Sequence, residues 1–522
     1  MAVGPTIGTG LFIGAGQALA VGGPASLVLS YIVLSFLTFA MTTSLAEVSA
    51  HMPSRHGTLI TNGYLYMSDS LGFAASYFRW YTLALFVPYE ITSAMVNLGL
   101  WKSGSAVAVR MSLITTIVVG SNFLPEKIFK RSERLFTSIK IGTMASLFVI
   151  TLALGLGGIN EQPPWGFKYW KTPGAMNEYI VHGAFGRLLA FFQCLLDGSI
   201  AFTFAPELIV HQAEMSASLD STTSLSTAIP GMVKADVITT AFPYVMSSLA
   251  MTVMAPFNDT RLTNNGTGSG FSPYLIGLND ARIQVVPTIA TIGILLSAVA
   301  SGRSFLYLSS RSLCAMSEFG HAPSLFSVRN RWDVPYVAVI SSALLSAISF
   351  ASVRITSPVT NTYLLRLITS AGFVSSLVSS TTYHRFNRQL KANQITKRYE
   401  SSLQPYGTYF GAFLSALSLL AGGLWAGPKG NLLGTQGARL AIPYLNVAIF
   451  GFLYLFHRLQ DFSPVVEIER PTDMNGSAHG DHNGPRDLQT QKAPPYGANP
   501  DPISETSEDI ELQPRQTMFT DF

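Results

Sequence analysis

Apolar runs of about 20 residues alternate with short polar loops along most of this chain, each run long enough for a helix to cross a hydrocarbon core of about 30 Å. Twelve runs stand out, near 1–20, 25–47, 72–100, 105–124, 135–157, 187–211, 234–256, 284–316, 334–353, 362–383, 407–427 and 437–457. The pattern predicts an all-α membrane protein with twelve transmembrane helices. The loops differ in charge. Lys127–Arg131 (KIFKR) and His384–Arg398 (HRFNRQLKANQITKR) are dense in Lys and Arg, whereas Gly158–Gly186 carries only Lys168 and Lys171. Positive loops face the cytoplasm, which places both termini inside. The glycosylation sequons at Asn258 and Asn265 then fall outside, as they should, and the one at Asn475 falls in the cytoplasmic tail as a false positive.

Composition agrees. Of 522 residues 48% are hydrophobic and 12% charged, against about 25% charged in soluble domains. The net charge of +4 divides unevenly: residues 460–522 hold 12 acidic and 4 basic groups, about −8, which leaves the body near +12. That excess reads as cytoplasmic loop charge, with the lipid bilayer as surroundings and no nucleic acid as partner. The chain thus divides into a membrane domain over 1–458 and an acidic tail over 459–522. The tail is rich in Pro, Gly and Ser, lacks apolar periodicity, and is expected to be disordered. Cys194 and Cys314 both lie in apolar runs, so neither a disulfide framework nor a thiolate metal site is implied. No basic n-region precedes the first run, so no cleavable signal peptide is expected. The spans lack clustered His, Asp and Cys and any Ser–His–Asp arrangement. No metal, no cofactor and no enzyme activity is expected.

Two spans have interruptions. The stretch Gly4–Pro24 (GPTIGTGLFIGAGQALAVGGP) holds seven glycines among 21 residues. Gly8 and Gly10 can leave helical dihedrals at little steric cost, and backbone groups freed there are tolerated only beside protein or a water-filled cavity. Such N–H groups, beside the positive end of a half-helix, suit a carboxylate. Close helix packing through Gly8, Gly10, Gly14 and Gly16 is the plainer alternative. The sixth span, Ile200–Val210 (IAFTFAPELIV), places Pro206 and the ionisable Glu207 at membrane depth. Two interrupted spans five apart point to an inverted-repeat transporter whose site lies at the bilayer midplane.

Gly4–Tyr31 resembles the first-span signature of fungal amino acid permeases, within the amino acid–polyamine–organocation superfamily. The resemblance continues through EVSAHMPSRHGT (47–58), SERLFTSIKIG (132–142), GFKYWKTPGA (166–175), SRSLCAMSEFGHAP (310–323) and QPYGTYFG (404–411), spanning roughly 1–458. It implies five-plus-five inverted repeats, broken helices 1 and 6, and proton-coupled uptake of amino acids at the plasma membrane. By the same resemblance Ile7, Gly8, Thr9 and Gly10 form the unwound stretch that holds the substrate carboxylate. Phe202 and Phe204 match aromatics beside the site, Phe204 as a wall or gate. Glu207 matches a glutamate for the substrate ammonium or the proton. Glu90 matches an acidic position of the third span, and Lys140 a fifth-span lysine that stands where sodium-coupled relatives hold their ion. Each has a plainer reading: ordinary packing for the phenylalanines, a carboxyl kept neutral by burial for Glu207, helix–helix bonding for Glu90, and snorkelling to the cytoplasmic end for Lys140.

The sequence departs from the family pattern in four ways. It begins four residues before Pro5, so the first helix is expected to be shortened. Pro5 replaces a usual glycine, and Ala205-Pro206-Glu207 replaces a usual Gly-Thr-Glu. Arg303 replaces a usual asparagine at membrane depth and calls for a partner, with Glu90 and Glu207 the candidates, or a place beside Lys140. These departures leave a non-transporting amino acid sensor as the alternative to a transporter. Neither the amino acid carried nor the oligomeric state is legible.

Overall fold

The computed structural model describes residues 8–51, 64, 66–98, 107–157, 165–211, 225–263, 270–283, 285–353, 356–424 and 436–460. Ile7, Asn265 and the tail from 461 onward lie outside these, so the expectations attached to them are not addressed by it. The described residues are helical, with no strand among them. Among the described residues, besides short helices at Lys168–Lys171 and Pro273–Asp280, the helices are α1 (Ala15–His51), α2 (Asp69–Leu98), α3 (Val107–Gly120), α4 (Glu126–Gly155), α5 (Ala184–Gly198), α6 (205–211), α7 (Leu225–Met254), α8 (Val286–Glu318), α9 (Tyr336–Leu344), α10 (Ser357–Ala392), α11 (Tyr406–Leu424) and α12 (Gln436–Gln460).

Seven helical stretches among the described residues are long and apolar enough to cross a membrane. Two parts of the difference from the twelve runs are physical, while α11 and α12 adjoin residues outside those described. One stretch, Gly10–His51, contains the first two runs as two helices that meet directly at a kink, where Gly23 is non-helical (φ 79°). A Cβ there would sit 2.9 Å from the Asn177 amide nitrogen, so the positive φ and the close approach both require glycine. Helix α2 carries Asp69, Arg79 and Glu90 along its 30 residues, and α3 has only 14 residues.

Exposure follows the expected solvent. On α3, Val109, Leu113 and Ile117 recur every four residues and are exposed; on α4, Leu135, Ile141, Val149 and Leu152 are. A stripe of exposed apolar residues is what lipid, not water, selects. Inside, α8 packs along α2, and α1 lies against α5 and α7. Glu47, at the end of α1, is buried and accepts hydrogen bonds from Tyr383 Oη (2.6 Å), Lys397 Nζ (2.9 Å) and Ser401 N (2.7 Å). This joins α1, α10 and the basic loop that follows it. Asn258 is exposed in a turn after α7, as a glycosylation site requires.

Candidate functional site

Two helix irregularities face each other at the centre of the molecule. Residues Gly10–Gly14 form a π-helical turn leading into α1, and the Leu11 amide donates to the Gly8 carbonyl at 3.2 Å. Single π turns inside α-helices recur at functional positions, because the wide turn leaves backbone groups misaligned with the regular ladder. Opposite, α5 tightens into a 3₁₀ turn at Ser199–Ala201, passes through residues 202–204, and resumes as α6. Pro206 falls in the first turn of α6, where a missing N–H costs nothing.

Between them lies a narrow pocket lined by Gly8, Gly10, Ile200, Ala201, Phe204 and Leu208, closed by Phe86 and Glu90 of α2 and Phe305 of α8. Phe86 and Phe305 stack at 4.2 Å, and Phe204 stands 5.6 Å from Phe86 and 6.4 Å from Phe305. The fully buried Thr9 donates its hydroxyl to Glu90 Oε2 at 2.7 Å, with its amide at 3.4 Å from the same oxygen. A carboxylate oxygen therefore already rests on the Thr9 donors.

Lys140 stands just behind. It is 1% exposed, so it does not snorkel, and its Nζ donates to Ser301 Oγ at 2.7 Å. The same Ser301 oxygen lies 3.0 Å from where a Cβ on Gly8 would be. The structure thus brings Gly8, Thr9, Gly10, Phe204, Glu90 and Lys140 into one neighbourhood.

Phe202 and Glu207 sit elsewhere. Phe202 packs edge-on to Tyr31 (5.6 Å) and Tyr244 (5.1 Å). Glu207 is ion-paired with Arg79 of α2, whose Nη1 also donates to Ser312 Oγ at 2.9 Å. Both residues line a wider cleft between α1, α10 and the 199–207 segment. Phe204 lines this cleft and the smaller pocket alike, and forms the wall between them.

Phe86, Phe305 and Arg79 were not singled out from sequence. Phe86 and Phe305 are two of 33 phenylalanines, and nothing in their spacing marks them. Arg79 did carry a signal, since a lone charge in the apolar run YFRWY asks for a partner.

Arg303 has a different partner from either sequence candidate. Its Nη2 pairs with Glu133 Oε2 at 3.0 Å, its Nη1 donates to Ser132 Oγ at 2.9 Å, and its guanidinium lies over the Phe129 and Phe136 rings at 4.4 and 4.8 Å. Glu133 lies two turns before Lys140 on α4, and an arginine of α8 reaches it because the two helices run antiparallel. Arg303→Asn is therefore expected to strand a mostly buried carboxylate and cost about 3–5 kcal/mol of stability. A lower melting temperature of the purified protein checks this, and an unchanged one contradicts the pairing.

Residues 1–463 match the sequence profile of a family described as amino acid permease. The chain is 32% identical to a probable proline-specific permease of Schizosaccharomyces pombe, over 87% of this chain and 82% of that protein. It is 29% identical to a proline-specific permease of Emericella nidulans, over 88% and 83%. A lysine-specific permease of Saccharomyces cerevisiae is 27% identical over 82% of this chain and 69% of that one. Among solved structures, a manganese transporter of Eremococcus coleocola superposes with a TM-score of 0.53, covering 88% of this chain and 94% of that one. At 13% identity that likeness is one of fold alone.

Proposed function

This chain belongs to the amino acid permease family, and from that premise we propose that it imports a small apolar amino acid, proline foremost, by proton symport and alternating access. Its relatives are named permeases, so it is a multi-pass membrane transporter of amino acids and not an enzyme. The proposal adds twelve crossings in two five-helix inverted repeats, helices broken at the Gly8–Gly14 and 199–204 segments, and a plasma-membrane location. Both termini face the cytoplasm, the permease domain covers 1–458, and 459–522 is an acidic tail.

The observation that carries this reading is the pocket between the two irregular segments. Its glycine side offers Thr9 donors that already hold a carboxylate oxygen, that of Glu90. A substrate carboxylate arriving at Ile7, Gly8, Thr9 and Gly10 competes with Glu90 for those donors. Glu90, displaced, turns toward the ammonium of Lys140, one serine away. Binding of substrate is thereby tied to the charge state of Glu90 and Lys140, which is what symport requires.

Selection rests on the other wall. Phe86, Phe204 and Phe305 present apolar ring faces to the pocket, which penalises a buried side-chain charge without a partner. Three relatives named proline-specific permeases, at 29–32% identity, support the same choice. Phe204 is the gate, since its movement joins the pocket to the wider cleft where Phe202 and Glu207 lie. Glu207 acts through its pair with Arg79, which fastens α6 to α2 while the gate is shut.

Equilibrium binding to purified protein tests the substrate class. Labelled L-proline should bind and be displaced by small apolar amino acids, with lysine and glutamate weaker by about tenfold or more, because each carries a charge into an apolar pocket. Equal displacement by lysine or glutamate would show that the three rings do not select.

A further inference from the structure

Helices α4 and α8 meet in an antiparallel seam whose contacts keep register over several turns. Thr143 abuts Gly293, where an added Cβ would lie 2.7 Å from the threonine methyl. Lys140 Nζ then reaches Ser301. Glu133 Oε1 accepts from Ser304 Oγ at 2.8 Å, while its other oxygen takes Arg303. Phe129 and Tyr307 stack at 4.5 Å below them. Glu133 and Lys140 are seven residues apart, and Ser301 and Ser304 three apart, so each pair shares a helix face.

At the Phe129–Tyr307 end of the seam Glu126 and Lys130 of α4 form an ion pair, and Arg311 of α8 lies over the Tyr307 ring. Lys140 senses Glu133, Glu90 and Arg303 electrostatically. Glu90 stands on the pocket side, and Glu133 on the side of the basic first turns of α4, Lys127–Arg131. The Glu133 side chain is 12% exposed and that of Arg303 is 4% exposed. A proton taken up by Lys140 beside the pocket must leave on the other membrane face. Glu133 lies further along the same helix face, and a serine hydroxyl of α8 meets each of the two, Ser301 at Lys140 and Ser304 at Glu133.

We propose that Glu133 receives the proton from Lys140 and passes it to the cytoplasmic face, with Arg303 and Ser304 as positioning residues that hold its carboxylate in the seam. In this step an N–H bond of the Lys140 ammonium breaks and an O–H bond forms on Glu133, through the Ser301 and Ser304 hydroxyls or a water between them. The products are a neutral amine and a carboxylic acid. The acid then gives its proton to water at the start of α4. The inference rests on the reading of Lys140 as the coupling site.

The test uses the full chain in liposomes with a pH dye trapped inside. Two quantities are read, exchange of labelled against unlabelled proline without a pH gradient, and proline-dependent proton entry. In Glu133→Gln, exchange should stay within about twofold of wild type while proton entry falls about tenfold or more, the order lost when a proton-transfer group is removed. Glu133→Asp should restore part of the flux. Should Glu133→Gln fold poorly with Arg303 unpaired, the double variant Glu133→Gln/Arg303→Gln removes both charges, and the same split is expected. Wild-type proton entry in either variant overturns the proposal, as does loss of exchange and proton entry together in both. Lys140→Met separates the two readings. If it abolishes proton entry while Glu133→Gln does not, only the role of Glu133 fails; if it leaves proton entry intact, the coupling site itself is misassigned.

Discussion

Gly8→Leu is expected to abolish amino acid binding. A Cβ on Gly8 would lie 2.5 Å from Glu90 Oε1 and 3.0 Å from Ser301 Oγ, so even alanine forces the Glu90 side chain to move, and leucine fills the space a substrate carboxylate needs. Losing the charge-assisted hydrogen bonds to that carboxylate costs about 1.5–3 kcal/mol each, and two such bonds correspond to a loss of about 100-fold or more. Gly10→Leu should be weaker at the first carbon, because its Cβ would meet the Ile200 methyl at 3.1 Å and not a charged group. Equilibrium binding of labelled proline measures both. Wild-type affinity in Gly8→Leu would move the site away from the π turn.

Lys140→Met should separate uptake from the pH gradient. The ammonium is 1% exposed and makes its hydrogen bond to Ser301, directly behind Gly8. Methionine fills similar volume without the charge, so the helix should stay packed while the site loses its proton carrier. The variant should still exchange proline across the membrane, yet no longer accumulate it when the outside is acidified. Accumulation with the wild-type dependence on the gradient would assign Lys140 a packing role.

The sequence made some of this visible and hid the rest for identifiable reasons. The repeating apolar runs announce a helical membrane protein, because a bilayer leaves few alternatives for a backbone that must satisfy its own hydrogen bonds. The glycines at 8 and 10 and the carboxyl at 207 stood out because each is costly at membrane depth unless it has a use, whereas Glu90 and Lys140 were marked by the family resemblance alone. What one-dimensional pattern could not supply was which element each side chain meets. Arg303 asks for a carboxylate, but Glu90, Glu133 and Glu207 all lie in or beside apolar runs, and only the antiparallel meeting of α4 and α8 selects Glu133. Glu207 likewise reads as a ligand until Arg79, 128 residues earlier, is seen to hold it. Phe86 and Phe305 build the apolar wall of the pocket from two different helices, and aromatic residues are too common here to be marked by type. The first two runs are two helices that meet at a kink, since the positive φ of Gly23 turns the chain there without a loop.

Accumulation of labelled proline by liposomes containing the purified full chain tests the central claim most directly. With the interior alkaline relative to the exterior, proline should rise inside above its outside concentration, and a protonophore should return it to equilibrium. Binding of proline with no accumulation under any gradient would contradict transport, and would leave a sensor built on the same pocket.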